Sequence, residues 1–149
     1  FMKGVSKYDE FERKIKLQMD GFYVLGFIDS NTYPTKGKKP YIKQILDYKT
    51  GDVAKKMSDY ESKDYNQLEI YAGGLRQEFG KLPDMAHVVL IGREGNAFKG
   101  EDLTLNRKIA IIERPLSEET VDEAIEEVQT VAEEISDLYK VFLKLKGDE

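Results

Sequence analysis

The sequence contains no cysteine and a single histidine. Without thiols there is no disulfide framework, no thiol nucleophile, no cysteine zinc site and no cysteine-bound iron–sulfur cluster. One histidine excludes a multi-histidine metal centre and a two-histidine mechanism. No apolar run approaches the ~20 residues that span a bilayer, and no signal-peptide pattern is present. No membrane partner is expected, and the expected setting is the cytoplasm of a cell or of an infected cell. What is present is 149 residues, 40% hydrophobic and 34% charged. That is the size of one domain, which buries roughly two thirds of the surface its unfolded chain exposes and needs no staple.

The net charge is −5, but it is not spread evenly. From Leu116 to Glu149 there are 11 acids and 3 bases, a balance of −8. From Phe1 to Pro115 there are 17 acids and 20 bases, a balance of +3. The acidity belongs to one C-terminal segment, so the global charge does not exclude a polyanionic partner for the body.

Hydrophobic patterning gives the order of elements. Arg13 to Gln18 alternates, with Ile15 and Leu17 on one side and Lys14, Lys16 and Gln18 on the other, which is strand period. Asp20-Gly21 is a hairpin dipeptide, and Phe22 to Ile28 is a second strand ending at Asp29. Asn31 to Pro40 reads as a loop with the basic cluster Lys36, Lys38 and Lys39. Tyr41 to Tyr48 is a third strand. Val53 to Ser62 is polar without a clear period and reads as a loop. A helix is expected from about Lys63 to Phe79, with Leu68, Tyr71, Ala72, Leu75 and Phe79 at three- and four-residue steps. Gly73-Gly74 in its middle costs ~2 kcal/mol relative to alanine, which a close helix–sheet approach would justify. Gly80 and Pro83 stop it. Ala86 to Gly92 is an apolar run suited to a buried strand, with His87 read as a packed residue. Leu103 to Glu113 is another strand, with Ile109, Ile111 and Ile112 as its core. Ser117 N-caps the last helix, and Leu116 staples onto Val121. That helix carries one apolar stripe through Val128, Ile135, Leu138, Phe142 and Leu145. The order is β-β-β-α-β-β-α, a mixed sheet flanked by helices in an α/β or α+β domain.

Three features carry chemistry. Asp29 ends a strand, Asp47-Tyr48-Lys49 ends the next, and Gln67 and Tyr71 lie four apart on the following helix. Residues two apart on a strand share a face, so Asp47 and Lys49 project side by side. If Asp29 ends the antiparallel neighbour, its carboxylate converges with that of Asp47. Two carboxylates with open water positions suit Mg²⁺ or Mn²⁺, and the Tyr48 backbone carbonyl can add a ligand. A lysine beside such an ion can offset charge on a phosphorane-like transition state. Taken singly, Asp29 and Asp47 are equally readable as strand-ending turn acids, Lys49 as a solvated strand end, and Gln67 and Tyr71 as an amphipathic pair.

Taken in order, Gly26-Phe27-Ile28-Asp29, then Ile45-Leu46-Asp47-Tyr48-Lys49-Thr50-Gly51, then Gln67-Leu68-Glu69-Ile70-Tyr71 resembles the RecB-type branch of the PD-(D/E)XK nucleases. That branch shows G-x-x-D, D-x-K often followed by Thr-Gly, and Q-x-x-x-Y. The resemblance runs from about Phe11 to Gly92 and implies a restriction-endonuclease-like core. It implies a metal-dependent deoxyribonuclease, with Asp29 and Asp47 as Mg²⁺ or Mn²⁺ ligands and Lys49 as the catalytic lysine. Gln67 and Tyr71 would hold the active site or contact DNA. Glu12 resembles the glutamate that precedes the first strand in this branch and would be an auxiliary metal ligand.

Two features depart from the pattern. Many relatives carry a histidine on a helix upstream of that glutamate, and nothing of the kind precedes Glu12. Some relatives hold an iron–sulfur cluster, for which this chain has no cysteine. The expectation is one nuclease domain over residues 1–149 without the upstream helical part. DNA is the expected partner, contacted by Lys36, Lys38 and Lys39. Another nuclease, helicase or recombination subunit is a further partner that the resemblance suggests, in DNA recombination or repair, and in a bacterial or phage-infected cell. The rival expectation is a catalytically inactive DNA-binding or accessory module that kept the nuclease fold.

Overall fold

The computed structural model of the chain describes residues 9–35, 38–95 and 97–147. The elements are β1 (Glu10–Met19), β2 (Phe22–Thr32), β3 (Gln44–Gly51), α1 (Val53–Glu61), α2 (Gln67–Phe79), β4 (Met85–Glu94), a 3-10 turn (Ala97–Lys99), β5 (Thr104–Glu113) and α3 (Glu118–Gly147). The five strands form one sheet in the order β1-β2-β3-β4-β5. Neighbours run antiparallel except β3 and β4, which are parallel. A parallel step needs a crossover, and α1 with α2 supplies it. The result is the expected α+β mixed sheet with flanking helices, a restriction-endonuclease-like architecture.

The core lies between α2 and one face of the sheet, where Ile15, Ile28, Ile45, Leu68, Leu75 and Val88 are buried together. Each such side chain contributes about 1.5–3 kcal/mol through burial. The Gly73-Gly74 pair is explained by two approaches rather than one. A Cβ on Gly73 would lie 2.8 Å from Ile125 Cδ1 of α3, and a Cβ on Gly74 would lie 3.4 Å from the Lys16 carbonyl oxygen of β1. One glycine admits a helix and the other admits the sheet. Gly80 ends α2 at a φ of 78°, its N–H donating to the Arg76 carbonyl at 2.8 Å. Ser117 caps α3 as expected, its Oγ accepting from Thr120 N–H at 3.1 Å.

Several expectations are corrected. The polar segment after β3 is the helix α1, so the order is β-β-β-α-α-β-β-α. The Asp52 side chain caps it by accepting from Lys55 N–H at 3.2 Å. No residue of α1 is buried, which is why no apolar period marked it. The following helix starts at Gln67 rather than near Lys63. In β5 only Ile112 is buried, whereas Ile109 and Ile111 are 42% and 66% exposed. Ile111 pairs with Val89 and Ile112 with Val88, so alternation sends Ile109 and Ile111 to the face away from α2. His87 is half-buried and hydrogen-bonded, its Nδ1 lying 3.0 Å from Gln44 Nε2. Among the described residues no helix is long and apolar enough to cross a membrane.

Candidate active site

The site sits where β2 and β3 part. The two strands pair only at Ser30–Leu46, Asn31–Ile45 and Thr32–Gln44. The next pair in that register would be Asp29 opposite Asp47, and there the ladder stops. The Asp29 carboxylate replaces it by accepting from the Tyr48 backbone N–H at 2.8 Å. From this fork β2 continues beside β1 alone and β3 beside β4 alone. The fork is filled from α2. Tyr71 lies over Gly26, so closely that a Cβ on Gly26 would stand 2.5 Å from Tyr71 Cε1. The glycine of the G-x-x-D motif is therefore the seat of the tyrosine of the Q-x-x-x-Y motif.

An ion pair and two hydrogen bonds link four of the five expected catalytic residues, and Asp29 stands beside them at the fork. Asp29 and Asp47 meet at the fork, where Asp47 helps to raise the Asp29 carboxyl. Lys49 Nζ stands 3.1 Å from Asp47 Oδ2 and donates to Gln67 Oε1 at 3.2 Å. Gln67 Nε2 in turn donates to Tyr71 Oη at 2.7 Å. The one-turn spacing of Gln67 and Tyr71 on α2 makes that last bond possible. The period of two along β3 puts Asp47 and Lys49 on the same face.

Electrostatically the site holds too much negative charge for its burial. Asp47 is only 4% exposed. The Asp29 carboxyl is pushed up to about 6, first by burial and then by the neighbouring Asp47. The Tyr48 N–H and the Lys49 ammonium pull the other way. A buried carboxyl raised by a neighbouring carboxylate is the arrangement a bound dication relieves. The two carboxylates at the fork are hard oxygen donors. They fit Mg²⁺ or Mn²⁺, which keep several waters.

Glu12 is placed differently from the other expected ligands. It is exposed, at a φ of 52°, on β1 opposite Asp29, where the β1–β2 register skips a pair. Among the described residues no three His, Cys, Asp or Glu side chains gather as a metal site, so Glu12 stands outside the Asp29–Asp47 pair. Lys38 and Lys39 are exposed and lie beyond the paired ends of β2 and β3, not at the fork. Lys39 Nζ is 3.9 Å from Glu10 and sits 5.2 Å from the Tyr33 ring centroid. Lys36 lies outside the described residues.

Two members of the site were not anticipated. Tyr65 Oη donates to Asp47 Oδ2 at 2.8 Å. Burial, then the Asp47 charge, raises its phenol, which stays a proton donor. Arg114, just past β5 and 8% exposed, donates to the carbonyls of Tyr60, Ser62 and Tyr65 at 3.2, 2.6 and 2.6 Å. It also donates to Glu69 Oε1 at 2.8 Å. Arg114 thus clamps the turn between α1 and α2 and holds Tyr65 against Asp47. The signals were slight: a tyrosine two residues before Gln67, and an arginine just past the last strand.

The model of the PD-(D/E)XK nuclease superfamily matches residues 5–141. No curated protein matches significantly. Among solved structures, the chain is similar to one described as a "Putative exonuclease" from Eubacterium rectale, at 14% identity and a TM-score of 0.46. The match covers 91% of this chain and 47% of that one, so the chain spans about half its length.

Proposed function

The chain belongs to the PD-(D/E)XK nuclease superfamily, and on that premise we propose that it is a metal-dependent deoxyribonuclease of the RecB-type branch. The observation that carries this reading is the convergence of Asp29, Asp47 and Lys49 at one fork of the sheet. Asp29, Asp47 and the Tyr48 carbonyl are the groups that would hold Mg²⁺ or Mn²⁺. Such an ion, when bound, supplies Lewis acidity at the scissile phosphate.

The chain's own side chains do the rest. Lys49 carries three N–H donors. Asp47 and Gln67 take two of them, which fixes the ammonium and leaves a third to meet charge that develops on the phosphate. Gln67, braced by Tyr71, keeps Lys49 from swinging away. Tyr65 donates to one oxygen of Asp47 and so fixes the plane of that carboxylate. Holding reacting groups in place in this way removes much of the entropic part of a barrier.

The test is cleavage of linear and circular DNA, single- and double-stranded, with Mg²⁺, Mn²⁺ or EDTA. Metal-dependent cleavage of any of these substrates supports the proposal. DNA binding with no cleavage under any metal overturns it in favour of an accessory module.

A further inference from the structure

Between the start of α2 and the first turns of α3 lies a groove of about 660 Å³, in the size range of small-molecule sites. Glu69 and Arg114 of the clamp described above line it, as does the buried Ala124 of α3. Along α3 it is edged by Glu119, Glu123 and Glu127. Asn66 Nδ2 donates to Glu127 Oε2 at 3.1 Å and fixes that carboxylate where α2 begins.

The groove is of one sign. Six acids line it against two bases, Lys63 and Arg114. Arg114 already has its own partners, three carbonyls and Glu69 Oε1. Among the described residues no ion pair engages Glu119 or Glu123. A second observation is independent of that charge. Glu69 is 5% exposed, and its Oε2 has no hydrogen-bond partner. A buried carboxylate oxygen without a donor is costly. It calls for a donor from the groove, and the surrounding acids call for that donor to be a cation.

Spacing selects the kind of cation. A metal ion needs several oxygens around one point, and among the described residues no three His, Cys, Asp or Glu side chains gather in that way. The acids of α3 are instead strung out. Glu119, Glu123 and Glu127 recur every fourth residue, a rise of about 6 Å per step. Ammonium groups separated by four methylenes along an extended alkyl chain also lie about 6 Å apart, by ordinary bond lengths. Between the acids, Ala124 and Val131 give the groove apolar lining for the methylenes, as surfaces of this kind do for a lysine stem.

We propose that this groove binds a linear polyamine, an alkyl chain carrying two or more ammonium groups. One ammonium donates to Glu69 Oε2, and the rest of the chain runs along Glu119, Glu123 and Glu127. The inference does not rest on the catalytic reading, because it uses none of Asp29, Asp47 or Lys49. The test is isothermal titration of the full chain with spermidine, at low ionic strength, where charges are least screened, and without divalent ions. One spermidine per chain is expected. Glu119→Gln with Glu123→Gln should weaken binding about ten-fold, since each exposed ion pair contributes up to several-fold. Glu133→Gln with Glu134→Gln makes the same charge change on α3 beyond the groove, and should leave binding within about two-fold. All four glutamates are exposed, so circular dichroism should be unchanged. Propylamine, with one ammonium, should bind at least ~10-fold more weakly than spermidine, because it meets one acid where spermidine meets several. Absence of spermidine binding, equal losses in the two double variants, or equal affinity for propylamine would each overturn the proposal; equal losses would mark only a general attraction to the acidic helix.

Discussion

Gly26→Ala isolates the fit between two motifs that are 45 residues apart in the chain. Gly26 is not at a left-handed φ, so alanine carries no backbone strain there. The added methyl would stand 2.5 Å from Tyr71 Cε1, 3.0 Å from Cζ and 3.2 Å from Oη. Carbon atoms at rest lie about 3.5–4.0 Å apart, so the ring must retreat by about 1 Å. Overpacking of this kind costs typically 1–3 kcal/mol, partly offset by the ~0.4–1 kcal/mol that alanine gains by restricting the unfolded chain. A net loss of about 1–2 kcal/mol is expected in urea denaturation. The effect on chemistry should be larger. Tyr71 Oη is the anchor of Gln67, and Gln67 holds Lys49. A misplacement of about 1 Å at a reacting group costs roughly 100-fold in rate. Adding Tyr71→Leu to Gly26→Ala should recover stability by removing the ring while leaving cleavage slow. Wild-type stability and wild-type single-turnover cleavage in Gly26→Ala would refute the seat-and-wedge account.

Lys49→Ala should slow single-turnover cleavage 10²–10³-fold, the loss of about 3–4 kcal/mol of transition-state stabilisation, with DNA affinity in Ca²⁺ changed only a few-fold; a parallel loss of both would mark Lys49 as a binding residue. Arg114→Ala strands the buried Glu69 carboxylate and frees the turn that carries Tyr65, so about 3–5 kcal/mol of stability should disappear in urea titrations; a loss below about 1 kcal/mol would contradict the clamp. Asp29 titrates near 6 in the fold against 3.8 as the ordinary value. Its contribution in chelator is thus fully present below about pH 4 and lost as pH rises through about 6. Thermal melts in EDTA should show Asp29→Asn gaining on wild type across that window, and Mn²⁺ affinity should rise over the same range because the ligand must lose its proton; a pH-independent gap between the two melts would contradict the raised Asp29 carboxyl.

Much of this site could be read from residue spacing alone. The period of two put Asp47 beside Lys49, and the turn spacing put Gln67 beside Tyr71, because both follow from local backbone geometry. The Asp20-Gly21 hairpin and the Gly80 stop were legible for the same reason. What escaped was set by tertiary contact. α1 buries no residue, so only its Asp52 cap distinguished it from a loop. Ile109 and Ile111 looked like core because alternation names two faces without saying which one is covered. Arg114 reaches carbonyls some 50 residues earlier, and nothing near it in sequence foretells that. Glu12 lies opposite Asp29 with a left-handed backbone, and no spacing rule foretells that conformation.

The central claim is that Asp29 and Asp47 together form the ion-holding heart of a nuclease. The most direct measurement is DNA cleavage in Mg²⁺ by wild type and by Asp47→Ala, with calorimetric Mn²⁺ titration of both proteins. Wild type should bind Mn²⁺ and cleave, and Asp47→Ala should do neither while keeping its fold. Equal Mn²⁺ affinity and equal cleavage in the two proteins would contradict the account.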